Sequence, residues 1–289
     1  MTMIERRLTG RPPAPPLPRG TVDTQMHMYL PGFPAQPGGP GLPPDPLPGA
    51  DAYRQVMGWL GIDRVVITQG NAHQRDNGNL LACLAEMGER ARGVAAIGAK
   101  TTEAEMARLE AAGVVGARIM DLPGGAVGLA ELEAVDDRAH AAGWMLAVQF
   151  DGSDLLAHLP RLERLRSRWV LDHHGKFLRG AAADAPEIDA LLRLIDRGNV
   201  WFKFAGVYES SRDGAPYEDV AGFSRRIAAH APDRIVWGTN WPHNMARTTT
   251  DYPDDADLAD RVLGWLPEGA RDRVLVSNPE ELFRFPPLR

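Results

Sequence analysis

The residues able to do chemistry stand at the ends of short apolar runs. "TVDTQMH" delivers Gln25 and His27, and "RVVITQGNAH" delivers Gln69, Asn71 and His73, with Asp76 and Asn77 close behind. "VGARIMD" carries Arg118 and Asp121, "WMLAVQFD" carries Gln149 and Asp151, and "RWVLDHHGK" carries Asp172, His173, His174 and Lys176. "VWFKFAG" supplies Lys203, and "RIVWGTNWPH" supplies Asn240 and His243. Imidazoles move protons near neutral pH, amides orient hydroxyls, and a cation at the end of an apolar run needs an anion. For Arg118 and Lys203 that anion is either Asp121, Asp151 or Asp172, or the carboxylate of a substrate. Two histidines at the spacing of positions 25 and 27 would suggest a divalent metal, but glutamine holds the first.

Five of the eight histidines fall at or just past these runs, whereas His140, His158 and His230 lie in helical stretches and are expected to be surface or packing residues. A set of histidines on separate runs becomes a site only if the fold brings the run ends together. Eight β-rich runs are found: the seven segments above, and "GVAAIGA" between the second and third of them. Amphipathic stretches such as "NGNLLACLAEMGERA", "TEAEMARLEAAG", "LAELEAVDDRAHAAG" and "APEIDALLRLIDRG" separate many of them, several ending at glycine as helix C-termini commonly do. Strand-then-helix order repeated eight times predicts a single (β/α)8 TIM barrel, an α/β fold whose active site forms at the C-terminal ends of the strands. The competing dinucleotide-binding fold has little support, because the Gly-rich turn "LPGGAVG" at 122–128 lacks the G-x-G-x-x-G order.

Residues 21–289 are expected to form the barrel and residues 1–20 a Pro-rich N-terminal arm. The segment 29–50, "YLPGFPAQPGGPGLPPDPLPGA", is far too long and rich in proline and glycine for an ordinary βα loop, and is expected to wall or cover the mouth of the barrel. The composition, 44% hydrophobic and 24% charged with one cysteine, is that of a soluble globular protein from a reducing compartment. Cys83 falls in a helical pattern and is expected in the core. The first ten residues read neither as a signal peptide nor as a membrane span, so a cytoplasmic location is expected. A formal charge of −6 and scattered basic residues argue against nucleic acid as a partner. Oligomeric state is not readable from the chain.

"DTQMH", "DHHGKF" and "WGTNWPH" resemble the three motifs of the amidohydrolase superfamily, in the branch that includes metal-independent lactonases. There the motifs ordinarily read His-x-His, a strand-end DH-x-G, and GSDWPH. Together with "TQGNAHQRDNGNLL" and "GARIMDLPGG" the resemblance spans nearly the whole chain. It implies the barrel, no metal and no other cofactor, and interconversion of the δ- and γ-lactones of galactaric acid in galacturonate and galactarate catabolism. The alternative is metal-independent hydrolysis that opens a sugar-acid or pyrone-dicarboxylate lactone. Matched position by position, His27 and His173 correspond to family histidines, Gln25 replaces a histidine, and Asn240 replaces the catalytic aspartate. Neutral amides are poor substitutes for imidazole or carboxylate on a divalent metal, although His174 and His243 could complete an opportunistic site. Carried into a mechanism, His173 becomes the first choice for general base, with His27 or His174 as partner. Lys203, Gln25 and Asn240 become candidate oxyanion donors, and Arg118 the carboxylate clamp, with Lys176 or Arg247 assisting. Gln69, Asn71, His73, Gln149 and His243 complete the expected pocket for a sugar-diacid lactone.

Overall fold

The structure is a computed structural model that describes residues 3–288; Met1, Thr2 and Arg289, the outer ends of the expected arm and barrel segments, lie outside the described residues. Eight strands run β1 (Val22–Met26), β2 (Arg64–Thr68), β3 (Ala91–Ala95), β4 (Val114–Met120), β5 (Met145–Gln149), β6 (Trp169–Leu171), β7 (Val200–Phe204) and β8 (Ile235–Trp237). They pair in sequence order, all parallel, in one sheet. The ring closes between β1 and the residues after β8. His27 N donates to Trp241 O at 2.8 Å, and Asn240 N donates to Gln25 O at 2.7 Å. The barrel expected from the strand–helix repeat is therefore the fold, and both closing bonds come from residues of the candidate site.

The helices are α1 (Ala50–Leu60), α2 (Gly78–Met87), α3 (Glu103–Ala111), α4 (Leu132–Ala141), α5 (Leu155–Leu162), α6 (Pro186–Ile195), α7 (Val207–Ser210), α8 (Glu218–His230), α9 (Asp255–Leu263) and α10 (Asn278–Phe283). They start and stop where the sequence signals: Thr102 and Asp254 accept first-turn backbone N–H groups at the starts of α3 and α9, and Gly61 turns left-handed after α1. Their apolar faces pack on the outer side of the sheet in one large cluster, in which Cys83 is buried. A second cluster takes at least one residue from every strand, among them Val22, Val66, Val94, Val115, Val170, Trp201 and Val236. Side chains from all eight strands can meet only inside the closed sheet. Leu282, Phe283 and Phe285 join that cluster, and Arg64, the first residue of β2, bonds Glu280 and the Pro286 carbonyl. The C-terminal segment thus plugs the end where the strands begin, which leaves the other end for ligands.

At that other end several backbones are strained. His173, His174 and Lys176 after β6, and Asn240 and His243 after β8, all have positive φ between 48° and 64°. Non-glycine residues hold this conformation at a cost of about 1–3 kcal/mol each and do so where surroundings over-determine it. The strain is also why β6 ends at Leu171, three residues before the run read from sequence does: the chain turns at Asp172 instead of extending through "DHH". β3 likewise begins at Ala91, two residues ahead of its sequence pattern. The N-terminal segment lies across the molecule, where Ile4 N donates to Asp45 O at 3.0 Å, Arg6 caps the Pro44 carbonyl at 2.9 Å and Arg11 pairs with Asp260 at 2.6 Å. It links the segment after β1 to α9. Among the described residues no helix is long and apolar enough to cross a membrane.

Candidate active site

A cavity of about 160 Å³ opens at the C-terminal ends of the strands. His27 (after β1), Asn71 (after β2), Arg118 (β4), Gln149 (β5), His173 (after β6) and Asn240 (after β8) all line it, with Arg247 at the rim. Pro40, Gly41, Leu42 and Pro43, from the long segment after β1, form part of its wall. That segment is held down where Gln36 N donates to Ala72 O at 2.7 Å and where Gly39 passes so close that an added Cβ would lie 2.5 Å from Asn71 O. Five further lining residues carry polar or acidic groups or sulfur that the strand-end reading does not collect: Tyr29, Met120, Glu209, Asn244 and Met245.

The two cations that the sequence could not tell apart have opposite situations. Lys203 is 1% exposed, with Nζ 2.5 Å from Asp172 Oδ1 and 2.9 Å from Gln25 Oε1. Its anion is part of the protein. Arg118 is 5% exposed and on the cavity wall, yet its guanidinium donates only to neutral oxygens: Gln69 O at 2.8 Å, Asn71 Oδ1 at 3.2 Å and Gln149 Oε1 at 3.2 Å. Asp121 and Asp151, considered as partners, instead accept from the backbones of Leu129 and Ser153. Burial pulls the Arg118 pKa down, partly countered by Asp172. Among the described residues no anion bonds this buried guanidinium on the cavity wall, an arrangement able to take up a carboxylate.

The polar groups on the opposite wall are linked by hydrogen bonds with one consistent direction. A carboxylate only accepts, so the Asn240 amide must present Nδ2 to Glu209 Oε1, at 2.8 Å. The same Nδ2 donates to Tyr208 Oη at 2.9 Å, and Tyr208 in turn donates to His243 Nδ1 at 2.8 Å. His243 Nε2 then donates to buried Asp255 at 3.0 Å. Asn240 Oδ1 is left to face His173 Nε2 at 3.1 Å, which must carry a proton. Among the described residues the buried His173 Nδ1 has no hydrogen-bond partner. Burial first, then Lys176, Lys203 and Arg118, push the His173 pKa well below its ordinary value against the opposing pull of Asp172. The residue is a neutral Nε2–H donor. Gly206 makes the pair possible: at φ +56 it lies beneath both side chains, where a Cβ would come within 2.8 Å of Asn240 Nδ2 and His173 Cδ2. His27 is the complementary case. Its Nδ1 donates to Thr68 O at 2.9 Å, which leaves Nε2 as an acceptor, and burial and Arg118 lower its pKa to about 4.

Several expected site residues stand behind the wall instead of on it. Lys203 is committed to Asp172 and to Gln25 Oε1, and although Gln25 Nε2 has no hydrogen-bond partner among the described residues, neither side chain lines the cavity. Gln69 turns its amide to the carbonyls of Gln74 and Asp76. His73 packs on Tyr29 with Nδ1 3.2 Å from Pro34 O, bracing the long segment. His174 points outward from the strained turn, stacked on Phe204 at 4.8 Å and bonded to Ser224, and burial takes its pKa to about 3. His243 has both nitrogens occupied behind Tyr208. Lys176 pairs with Glu209 at 2.6 Å. Tyr208, Glu209 and Asp255 were invisible to the strand-end reading. Glu209 could have been found by extending that reading past β7 into the first turn of α7.

A divalent metal does not fit these residues. The first-motif position offers the Gln25 amide, whose oxygen already takes the Lys203 ammonium, so a cation is built in beside the position. Asn240 is neutral and turns its oxygen to an N–H donor. His174 and His243, which could have made an opportunistic site, face other neighbours, and among the described residues no group of three metal-ligating side chains is assembled.

A parallel eight-stranded barrel carrying such a site at its strand ends defines a class, and the chain belongs to the amidohydrolase family, whose model matches residues 22–285. Within it, the chain is 70% identical over 290 residues to D-galactarolactone isomerase of Agrobacterium fabrum, with 100% of this chain and 99% of that one aligned. An Agrobacterium tumefaciens protein solved in its apo form is 71% identical, with a TM-score of 0.97 over 98% of this chain and 100% of that one. At greater distance, 4-sulfomuconolactone hydrolase of Rhizobium radiobacter is 30% identical, with 92% and 91% of the two chains covered.

Proposed function

We propose that the chain interconverts D-galactaro-δ-lactone and D-galactaro-γ-lactone by metal-independent intramolecular acyl transfer, within galactarate and galacturonate catabolism. The observation that carries this reading is Arg118, the buried guanidinium on the cavity wall that lacks a bonded anion; an aldaric lactone supplies one free carboxylate to fill that place. The name of the 70%-identical relative supports the same substrate and reaction.

In this reading the carboxylate docks on Arg118, with Arg247 assisting from the rim. The hydroxyl on the carbon next to the ring ester attacks the lactone carbonyl, and the tetrahedral oxyanion collapses to the other ring. Because the nucleophile is tethered, proximity replaces water activation, which suits an asparagine at position 240. The oxyanion donors expected from Lys203 and Gln25 lie behind the wall. On the wall, His173 carries Nε2–H, which rests on Asn240 Oδ1 and serves the oxyanion by exchanging or sharing that acceptor. His27 Nε2 is an acceptor for a substrate hydroxyl. Proton NMR of the δ-lactone with chelator-dialysed protein tests the reading: accelerated γ-lactone is expected, and accelerated ring-opened diacid would make the chain a hydrolase instead.

A further inference from the structure

Resting on that isomerase reading, the reaction has a proton requirement of its own. One proton must leave the attacking hydroxyl and one must reach the departing ring oxygen, and these oxygens sit on adjacent carbons of one molecule. No water and no net proton is consumed, so a single group that fills and empties within each turnover suffices. The histidines on the wall are poor choices. His173 already holds a proton on Nε2, and its other nitrogen is buried without a partner. A second proton would create an imidazolium among Lys176, Lys203 and Arg118, all of which oppose it. At His27 the new charge would oppose Arg118.

Glu209 differs in kind. Among the described residues lining the cavity it is the one carboxylate. Two separate contacts set its plane, Lys176 Nζ 2.6 Å from Oε2 and Asn240 Nδ2 2.8 Å from Oε1. Accepting a proton discharges it instead of adding charge, and its two oxygens can address two neighbouring substrate oxygens. We propose that Glu209 is the proton carrier: it takes the proton of the attacking hydroxyl as the new C–O bond to the lactone carbonyl forms, and returns it to the ring oxygen as the old C–O bond breaks. Lys176 and Asn240 are its positioning residues.

The test measures δ- to γ-lactone conversion by NMR for the wild type, Glu209→Gln, Glu209→Ala and the double variant Glu209→Gln/Lys176→Met. A wild type that does not accelerate the conversion would refute the isomerase reading itself. With an active wild type, Glu209→Gln is expected to lower kcat about a hundredfold or more with KM within about threefold. The double variant should stay equally slow, and formate should restore rate to Glu209→Ala in proportion to its concentration where chloride does not. A kcat for Glu209→Gln within about threefold of wild type overturns the proposal. So does recovery in the double variant, which would make Glu209 only the counter-ion of Lys176.

Discussion

Replacing Arg118 with methionine separates a ligand-binding cation from a structural one. Methionine keeps most of the aliphatic stem while removing the charge. The charge is buried without a bonded anion, so its removal relieves a desolvation cost; against this, Gln69 O, Asn71 Oδ1 and Gln149 Oε1 lose a donor at a cavity that water can enter. These effects oppose each other, and folding stability should change by no more than about 1 kcal/mol, or roughly 2–4 °C in Tm. A cation paired as Lys203 is with Asp172 would behave otherwise, since removing one member of a buried pair costs about 3–5 kcal/mol. On the binding side, charge-assisted hydrogen bonds to a carboxylate contribute about 1.5–3 kcal/mol each, so loss of a clamp worth about 2–4 kcal/mol raises KM roughly thirty- to several-hundredfold. Steady-state kinetics on the δ-lactone and a melting curve decide the matter. Galactarate, the open diacid, should raise Tm in the wild type and not in Arg118→Met. An unchanged KM together with a Tm lowered by about 10 °C would refute the reasoning, because it would place the guanidinium's anion inside the protein.

His173→Ala removes the Nε2–H donor from the wall and should lower kcat at least about a hundredfold with the melting temperature preserved; a near-normal rate would take His173 out of the reaction. Asn240→Asp sets a carboxylate where Nδ2 now lies 2.8 Å from Glu209 Oε1, so the two must share a proton, and the variant should release some ring-opened diacid with a rate that depends on pH. Absence of diacid at every pH would mean that the amide is not what suppresses hydrolysis. Buried neutral histidines also set an acid limit on stability. With its folded pKa depressed to about 3 by burial, His174 binds its proton only in the unfolded chain between that value and about 6.5. Its contribution is present above about pH 6.5 and lost as pH falls toward 3, so His174→Phe should flatten the drop in Tm between pH 6.5 and 4, and an unaltered slope would contradict the assignment.

The fold was legible because its signal is repetitive: eight apolar runs, each tied to a turn and in most cases a helix, leave few architectures. The positions of the site were legible for the same reason, since a barrel puts its strand ends on one face whatever their side chains. Direction was not legible. His173 and His174 are neighbours in sequence, and only the left-handed turn at φ 52° and 49° sends the first into the cavity and the second against Phe204. Nor could the chain reveal which strand-end cation was already satisfied. Arg118 and Lys203 have the same local signature, a cation in a strand that should be buried. Their difference lies across strands, where Asp172 after β6 reaches the lysine on the adjacent β7 and, among the described residues, no carboxylate bonds to the arginine on β4. The partner that a residue lacks is a property of the closed barrel alone. That is why the strongest argument for a carboxylate-bearing ligand became available only once Lys203 had been assigned its anion and Arg118 had none.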